Sequence, residues 1–397
     1  MKRISGGVLL VTGTCIGAGM LGLPIKTAAA GLNASILLFL SVWALMATSA
    51  LLMLEAALWF KNEANLLSMS QETLTTVGKT MVGLIYILFL YALLSAYTAG
   101  GSTLWGEIAK WLQLPQWFAT NPNTIMVFSG ILVSIVFAGI QWVDYCNRIL
   151  MVGLIVSYCF IIGHFPPEAR QAPQNIQLIS LWYALPILVT SFGFHLLIPS
   201  LKTYLQANLP ALRKTILIGS FIPFIIYGIW EAVILWSVPL EGSQGLLNML
   251  QSQENPAELL VRAFAQNNYL QLGITFFSFF ALTTSFMGVA IGLFDFFADA
   301  LQVQKTFFTK IWLTLLTFLP PLIFTVWVPR GFLVALGYAG VFAAILLIVL
   351  PVLMVWSGRY WKGIAHGYRV KGGKPLLVGV FLAGLAVIYA ELMQHIN

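Results

Sequence analysis

Gly13-Thr14-Cys15-Ile16-Gly17-Ala18-Gly19-Met20-Leu21-Gly22-Leu23-Pro24 is apolar enough to lie in a membrane yet too rich in glycine to stay a regular helix. Roughly half a chain later, Thr190-Ser191-Phe192-Gly193-Phe194-His195 runs on to Pro199 in the same manner. Inside a helix, glycine is less favourable than alanine by about 1 kcal/mol and proline by about 3. In lipid a freed backbone group finds no water, so irregular backbone at membrane depth persists only where protein or a water-filled cavity surrounds it. Paired interruptions at matching places in two halves of a chain point to a mid-membrane binding site of the kind secondary transporters build.

Composition agrees with a membrane setting. Of 397 residues, 59% are hydrophobic and 8% charged, against about 25% charged in a soluble domain. A span needs about 20 mainly apolar residues. About eleven windows qualify: 6–30, 34–58, 80–105, 124–141, 148–165, 180–203, 214–238, 269–298, 307–327, 332–356 and 375–393. The longest polar stretch, around 239–267, reads as a loop with two short helices split near Asn255-Pro256, and its Glu241, Glu254 and Glu258 read as solvated surface. Met1-Lys2-Arg3 before an apolar run resembles a signal peptide, but the glycine-rich interruption and Pro24 argue against cleavage. Cys15, Cys146 and Cys159 lie in or beside spans and imply no disulfide framework.

The net charge of +7 takes its meaning from its distribution. With the N-terminus in the cytoplasm, Lys26, Lys110, Arg170, Arg262 and Arg330 fall outside and the other fifteen of the 20 basic residues inside, as the positive-inside rule requires. The C-terminus is then periplasmic. Nucleic-acid binding is excluded as a role, since no basic stretch is interleaved with a soluble aromatic platform.

The windows divide into five, five and one: residues 1–170, residues 171–358, and a cytoplasmic loop with the eleventh window in 359–397. The first member of each five is the broken one. An odd number of spans per unit makes the second unit enter from the opposite side, so the two fives are expected to be inverted repeats.

The first break exposes backbone at Gly17, Ala18 and Gly19, and the half-helix from Met20 offers free N–H groups and a positive dipole end to a carboxylate. Thr14 stands at its edge. The competing reading is close helix packing through small residues. In the second break Ser191 and Gly193 loosen the helix, freed carbonyls near Thr190–Phe192 suit an ammonium group, and Phe192 and Phe194 supply aromatic walls. Together the breaks fit an amino acid zwitterion held end to end. An ionisable group at this depth is a functional candidate, and His195 is one, for substrate contact or proton coupling, with a neutral hydrogen-bonded imidazole as the alternative. Tyr91 and Ser95 share a face of the third window, as substrate contacts or interior packing. Thr283, Thr284 and Ser285 place hydroxyls near mid-membrane, where they coordinate a cation, meet substrate (Thr284 first) or bond back to their own helix. Glu55 and Asp295 near span ends are further proton-coupling candidates, with Glu231 ranked below them. No metal, phosphate-binding or catalytic set emerges, and no cofactor is expected.

Gly13–Leu21 resembles the opening motif of the bacterial hydroxy and aromatic amino acid permeases, and Thr190–His195 resembles their second broken helix. Thr284-Ser285-Phe286-Met287-Gly288-Val289-Ala290-Ile291-Gly292-Leu293-Phe294-Asp295 resembles their eighth span. Phe318-Leu319-Pro320-Pro321, Pro329-Arg330-Gly331-Phe332, Ala335-Leu336-Gly337-Tyr338-Ala339-Gly340 and Gly367-Tyr368-Arg369-Val370-Lys371-Gly372-Gly373 extend the match over nearly the whole chain. The resemblance implies the LeuT-like fold, the five-plus-five inverted repeat of the bacterial leucine transporter, with spans 1 and 6 broken and an eleventh span added. It implies proton-driven symport of an aromatic amino acid across the inner membrane, tyrosine before tryptophan and either before serine or threonine. Some permeases of this fold carry a lysine in the fifth span. Met151–Phe160 has no basic residue, Leu154 stands at about that position, and Arg148 lies at the entrance. The coupling ion, H+ before Na+, is therefore less constrained than the fold, and His195, Glu55 and Asp295 stand in for the lysine. The expected partners are the small amino acid and the lipid bilayer, with no obligatory protein. A channel or membrane-embedded enzyme is the reading from a different class.

Overall fold

The structure is a computed structural model that describes residues 2–60, 65–164, 177–242, 245–252, 255–264, 267–304, 306–328 and 331–394. Met1, Lys61, Arg170, Glu254, Lys305, Pro329 and Arg330, and the 170/171 boundary between the expected repeats, lie outside the described residues. Among the described residues every regular element is helical.

The first apolar window is bent. Helix α1 (Lys2–Cys15) stops before Gly17, and the chain continues as a 3-10 turn over Ala18–Gly22, the short α2 (Leu23–Thr27) and a second 3-10 turn at Ala28–Ala30. The two halves meet at 45°. Gly31, at φ 79°, ends the segment, because a left-handed backbone is open to glycine without a Cβ clash. Helix α3 (Leu32–Leu58) follows. Helix α4 (Leu66–Trp111) begins earlier than the hydropathy window. Asn65 and Ser68 form a reciprocal capping box, with Ser68 N–H donating to Asn65 Oδ1 at 2.9 Å and Asn65 N–H to Ser68 Oγ at 2.9 Å, and such a cap satisfies otherwise orphaned donors. Thr75, at φ 80°, interrupts α4 near its start.

Helix α5 (Asn123–Ala138) has 16 residues, about 24 Å at 1.5 Å per residue, short of a hydrocarbon core of about 30 Å. Helix α6 (Ile140–Gly163) starts directly after Gly139 and takes in residues 142–147, which lie between the fourth and fifth apolar windows. Their polarity is absorbed on an exposed face, where Arg148 pairs with Asp144 at 2.7 Å. The second broken segment comprises α7 (Ile179–Ser191), a 3-10 turn at His195–Leu197 and α8 (Ile198–Tyr204). Then come α9 (Leu209–Ser237), the short α10 (Leu246–Ser252) and α11 (Pro256–Ala263), and α12 (Asn268–Ala300). The two short helices fall where the polar loop was expected to hold them. Helices α13 (Phe307–Trp327), α14 (Gly331–Ala343), α15 (Leu350–Trp356) and α16 (Gly373–Gln394) complete the chain, with π-helical turns over Ala344–Val349 and Ser357–Trp361.

Among the described residues, nine helices are long and apolar enough to cross a membrane, or ten counting the bent first segment as one span. The chain is thus a polytopic all-helical membrane protein. Its broken segments lie inside the bundle: α1 packs on α9, α7 on α3 and α14, and α12 on α4 and α6. Trp230, Tyr227, Phe192, Phe194, Phe277 and Phe286 fill the centre with almost no exposure.

Candidate functional site

Helix α1 ends because Gly17 adopts an extended backbone, φ −166° and ψ −159°. Two of the N–H groups there are taken up. Ala18 N–H donates to Ser285 Oγ at 3.4 Å, and Met20 N–H donates to Gly17 O at 3.3 Å. Gly17, Ala18, Gly19 and Met20 are all buried. A Cβ on Gly17 would run into Ser285 Oγ, and one on Gly19 into Ser191 Oγ with Ser191 Cα at 3.3 Å. These glycines therefore let α12 and α7 approach the first break closely. Beyond it, α2 has five residues, so the axial dipole offered to an anion is shorter than a full half-helix provides.

The second break is equally knitted. Gly193 N–H donates to Thr190 O at 3.0 Å and Phe194 N–H to Phe192 O at 3.0 Å. Ser191 Oγ bonds back to Ile187 O at 2.8 Å. Phe192, Phe194 and His195 have 0% exposure. The His195 ring lies 5.0 Å from the Phe194 ring centroid and beside the Met46 backbone, yet among the described residues neither ring nitrogen finds a hydrogen-bond partner.

Two groups missed by sequence reasoning join the breaks. The Tyr227 hydroxyl on α9 reaches Cys15 O at 2.6 Å and Ser191 O at 2.9 Å, the carbonyls of the last residues of α1 and α7. One buried O–H thus serves both helix ends. Across the junction the Tyr97 hydroxyl of α4 meets the Ser285 side chain, which accepts from Ala18. Ser285 belongs to the hydroxyl run singled out from the sequence. Tyr97 and Tyr227 carried no local signal, since an apolar helix does not announce which face turns inward.

The other sequence-derived candidates lie as follows. Thr14 is exposed and donates to Leu10 O at 2.8 Å. Tyr91 is half-buried and donates to Leu316 O of α13 at 2.6 Å, while Ser95 bonds back to Tyr91 O at 2.8 Å. Thr284 bonds back to Ala281 O at 3.1 Å. Glu55, with 0% exposure, accepts from Arg359 Nε at 2.7 Å and Nη2 at 2.6 Å and from Val370 N–H at 2.7 Å. This fork ties the end of α3 to the π-turn after α15. Asp295 lines a cavity near the end of α12. Leu154 is buried at 2% exposure.

Helices α4 and α12 run antiparallel, and a cavity opens at each end of their seam. One, of about 550 Å³, is lined by Asn65, Lys79, Tyr86, Leu196, Pro199 and Asp295 among others, touching the chain just past the second break. The other, of about 590 Å³, lies at the opposite end beside Glu107, Trp111 and Tyr269. Between them the seam is closed by buried side chains such as Tyr97, Leu282 and Phe286. A closed layer between two vestibules, crossed by two broken helices, is an arrangement that can bind a small polar solute and pass it on.

The profile of the tryptophan/tyrosine permease family matches residues 1–391. Tyrosine-specific transport system 1 of Haemophilus influenzae is 35% identical, covering 98% of this chain and 96% of that protein. Tyrosine-specific transport system 2 of the same organism is 31% identical over 98% and 95%. The tryptophan-specific transport protein of that organism is 30% identical over 99% and 96%. These relatives bear the names of transport systems rather than enzymes.

Proposed function

The chain belongs to the tryptophan/tyrosine permease family, and from that premise we propose that it imports an aromatic amino acid, tyrosine first, together with a proton by alternating access across the bacterial inner membrane. The observation that carries this reading is the junction of the two breaks, where Tyr227 links the ends of α1 and α7. A substrate carboxylate is received at the N–H groups of Gly17–Met20 and its ammonium at the carbonyls of Thr190–Phe192. The Ala18 and Met20 N–H groups and the Thr190 and Phe192 carbonyls are now engaged by Ser285 and local turns, which yield on admission, while Tyr227 stays on Cys15 O and Ser191 O and holds the two helix ends together. Phe192, Phe194 and Phe286 form the aromatic surroundings of the side chain.

The packing supports a five-plus-five inverted repeat with eleven spans, α5 counted as a short fourth span. Advancing each span by five turns the α6–α12 pair into the α14–α4 pair, and both pack closely. The α3–α9 and α4–α12 pairs map onto themselves, as a two-fold relation demands. An odd span count with most basic residues at one face supports a cytoplasmic N-terminus and periplasmic C-terminus.

Tryptophan is the second reading, favoured by the tryptophan-specific relative at 30% identity. Uptake of labelled tyrosine into proteoliposomes, competed by each of the twenty amino acids with and without sodium, tests both. Tyrosine neither transported nor competing refutes the substrate, and a strict sodium requirement refutes proton coupling.

A further inference from the structure

Glu231 lies in the last two turns of α9 (Leu209–Ser237) with no cation beside it among the described residues. It sits on α9 with 0% exposure, facing the end of α2 and the start of α3. Its Oε1 shares a hydrogen bond with Thr27 Oγ1, and the Ser35 hydroxyl stands beside the carboxyl. Among the described residues Oε2 has no hydrogen-bond partner.

The charged and titratable groups on the surrounding elements are engaged elsewhere. Lys26, next to Thr27 on α2, donates to Gln394 Oε1 at 2.9 Å and faces Glu391 of α16. Glu55, at the far end of α3, is paired with Arg359. Arg3 lies at the opposite end of α1, Arg213 and Lys214 at the first turns of α9, and Asp295 and Asp299 at the far end of α12. α10, packed against α2, carries no charge. Cys15 of α1 is a free thiol, and the Tyr227 hydroxyl is spent on Cys15 O and Ser191 O.

The protons around Glu231 can be counted. Thr27 has one hydroxyl proton, and its Oγ1 lies 2.8 Å from Leu23 O as well as against the carboxyl. If Glu231 were ionised, both neighbours would be acceptors and one contact would set lone pair against lone pair. A protonated Oε1 donating to Thr27 Oγ1 lets the threonine proton stay on Leu23 O, and both contacts are then complete. Ser35 repeats the pattern, its Oγ donating to Gly31 O at 2.9 Å. Isolated ionised carboxylates are rarely held in such surroundings, because nothing offsets their lost hydration.

We infer that Glu231 is the proton-carrying residue of the transport cycle, its carboxylic acid clamping the outer half of the first broken span to α9 through Thr27. In this conformation the acid is closed off. When the bundle opens to the cytoplasm and water from that side reaches the carboxyl, the O–H bond breaks, the proton passes to that water, and the carboxylate left behind is hydrated. Rebinding of a proton from the outer solution re-forms the acid and lets α2 close. Proton state and access are linked because the buried pocket accommodates only the neutral group. This rests on the reading of the protein as a proton-coupled permease.

Infrared spectra of the protein in liposomes decide the protonation without reference to substrate. The expected result is a protonated-carboxyl C=O band at neutral pH that is missing in Glu231→Gln. Should that variant not be recovered, Thr27→Val supplies the answer by shifting the same band as its hydrogen-bond partner is lost. A spectrum unchanged by either substitution overturns the assignment. In transport, Glu231→Gln is expected to retain exchange of labelled tyrosine for internal tyrosine but to lose accumulation driven by a pH gradient. That loss amounts to about tenfold per pH unit for one coupled proton. Accumulation equal to the unmodified protein overturns the proposal. Absence of tyrosine exchange in the unmodified protein refutes the substrate instead, and the infrared band still decides Glu231.

Discussion

Replacing Tyr227 by phenylalanine removes a single oxygen from a fully buried side chain and keeps its ring. The lost hydroxyl serves Cys15 O at 2.6 Å and Ser191 O at 2.9 Å, carbonyls at the ends of α1 and α7. A buried acceptor deprived of its donor costs about 1–3 kcal/mol, and because one O–H serves both oxygens the total stays within about 1–3 kcal/mol. Tyr158→Phe provides the scale. Its hydroxyl donates at 3.0 Å to Ile226 O, a carbonyl inside α9, so its loss should cost only about 0.5–1.5 kcal/mol. If Tyr227 holds the breaks in the arrangement that binds substrate, the energy reappears in affinity as roughly a 5- to 150-fold weakening. Tyrosine binding and thermal unfolding of the detergent-purified variants, measured side by side, provide the assay. Tyr227→Phe matching Tyr158→Phe in both measurements would refute the idea that this hydroxyl couples the two breaks.

Three further outcomes are expected. Gly17→Ala should destabilise by about 1–3 kcal/mol through overpacking and be relieved by Ser285→Ala. Gly19→Ala should be relieved only partly by Ser191→Ala, since Ser191 Cα also crowds it; equal rescue of both in thermal unfolding contradicts the packing described. Arg359→Met leaves Glu55 buried without its cation and should cost about 3–5 kcal/mol, whereas adding Glu55→Leu should recover much of that. Unfolding midpoints of the single and double variants check it. Reporter fusions after Lys371 and at the C-terminus should report opposite sides of the membrane, and the same side for both removes the odd span count.

Much of this was legible because membranes impose strong local rules. Apolar runs mark spans wherever they occur, and glycine and proline clusters mark where a span cannot be regular. The two breaks accordingly fall at Ile16–Gly17 and Phe192–Phe194. Helix ends were less legible. Asn65 and Ser68 cap α4 well before its apolar window, and residues 142–147 remain helical despite their polarity, because capping and exposed faces tolerate polar side chains that a hydropathy window rejects. Side-chain roles were least legible. Tyr91 and Ser95 share a helical face as their spacing requires, but that face meets α13, and Tyr97 is the tyrosine that turns toward Ser285.

The sequence by itself determined that the chain is a polytopic helical membrane protein interrupted at two matched places, since hydropathy and backbone freedom are properties of neighbouring residues. Only the tertiary structure decided how those interruptions are satisfied. Gly17 and Gly19 are filled by serines from other helices, Cys15 and Ser191 share the Tyr227 hydroxyl, and Glu55 finds Arg359 while Glu231 finds no cation among the described residues. Such pairings join residues up to several hundred positions apart, and their chemistry depends on which faces meet in the closed bundle.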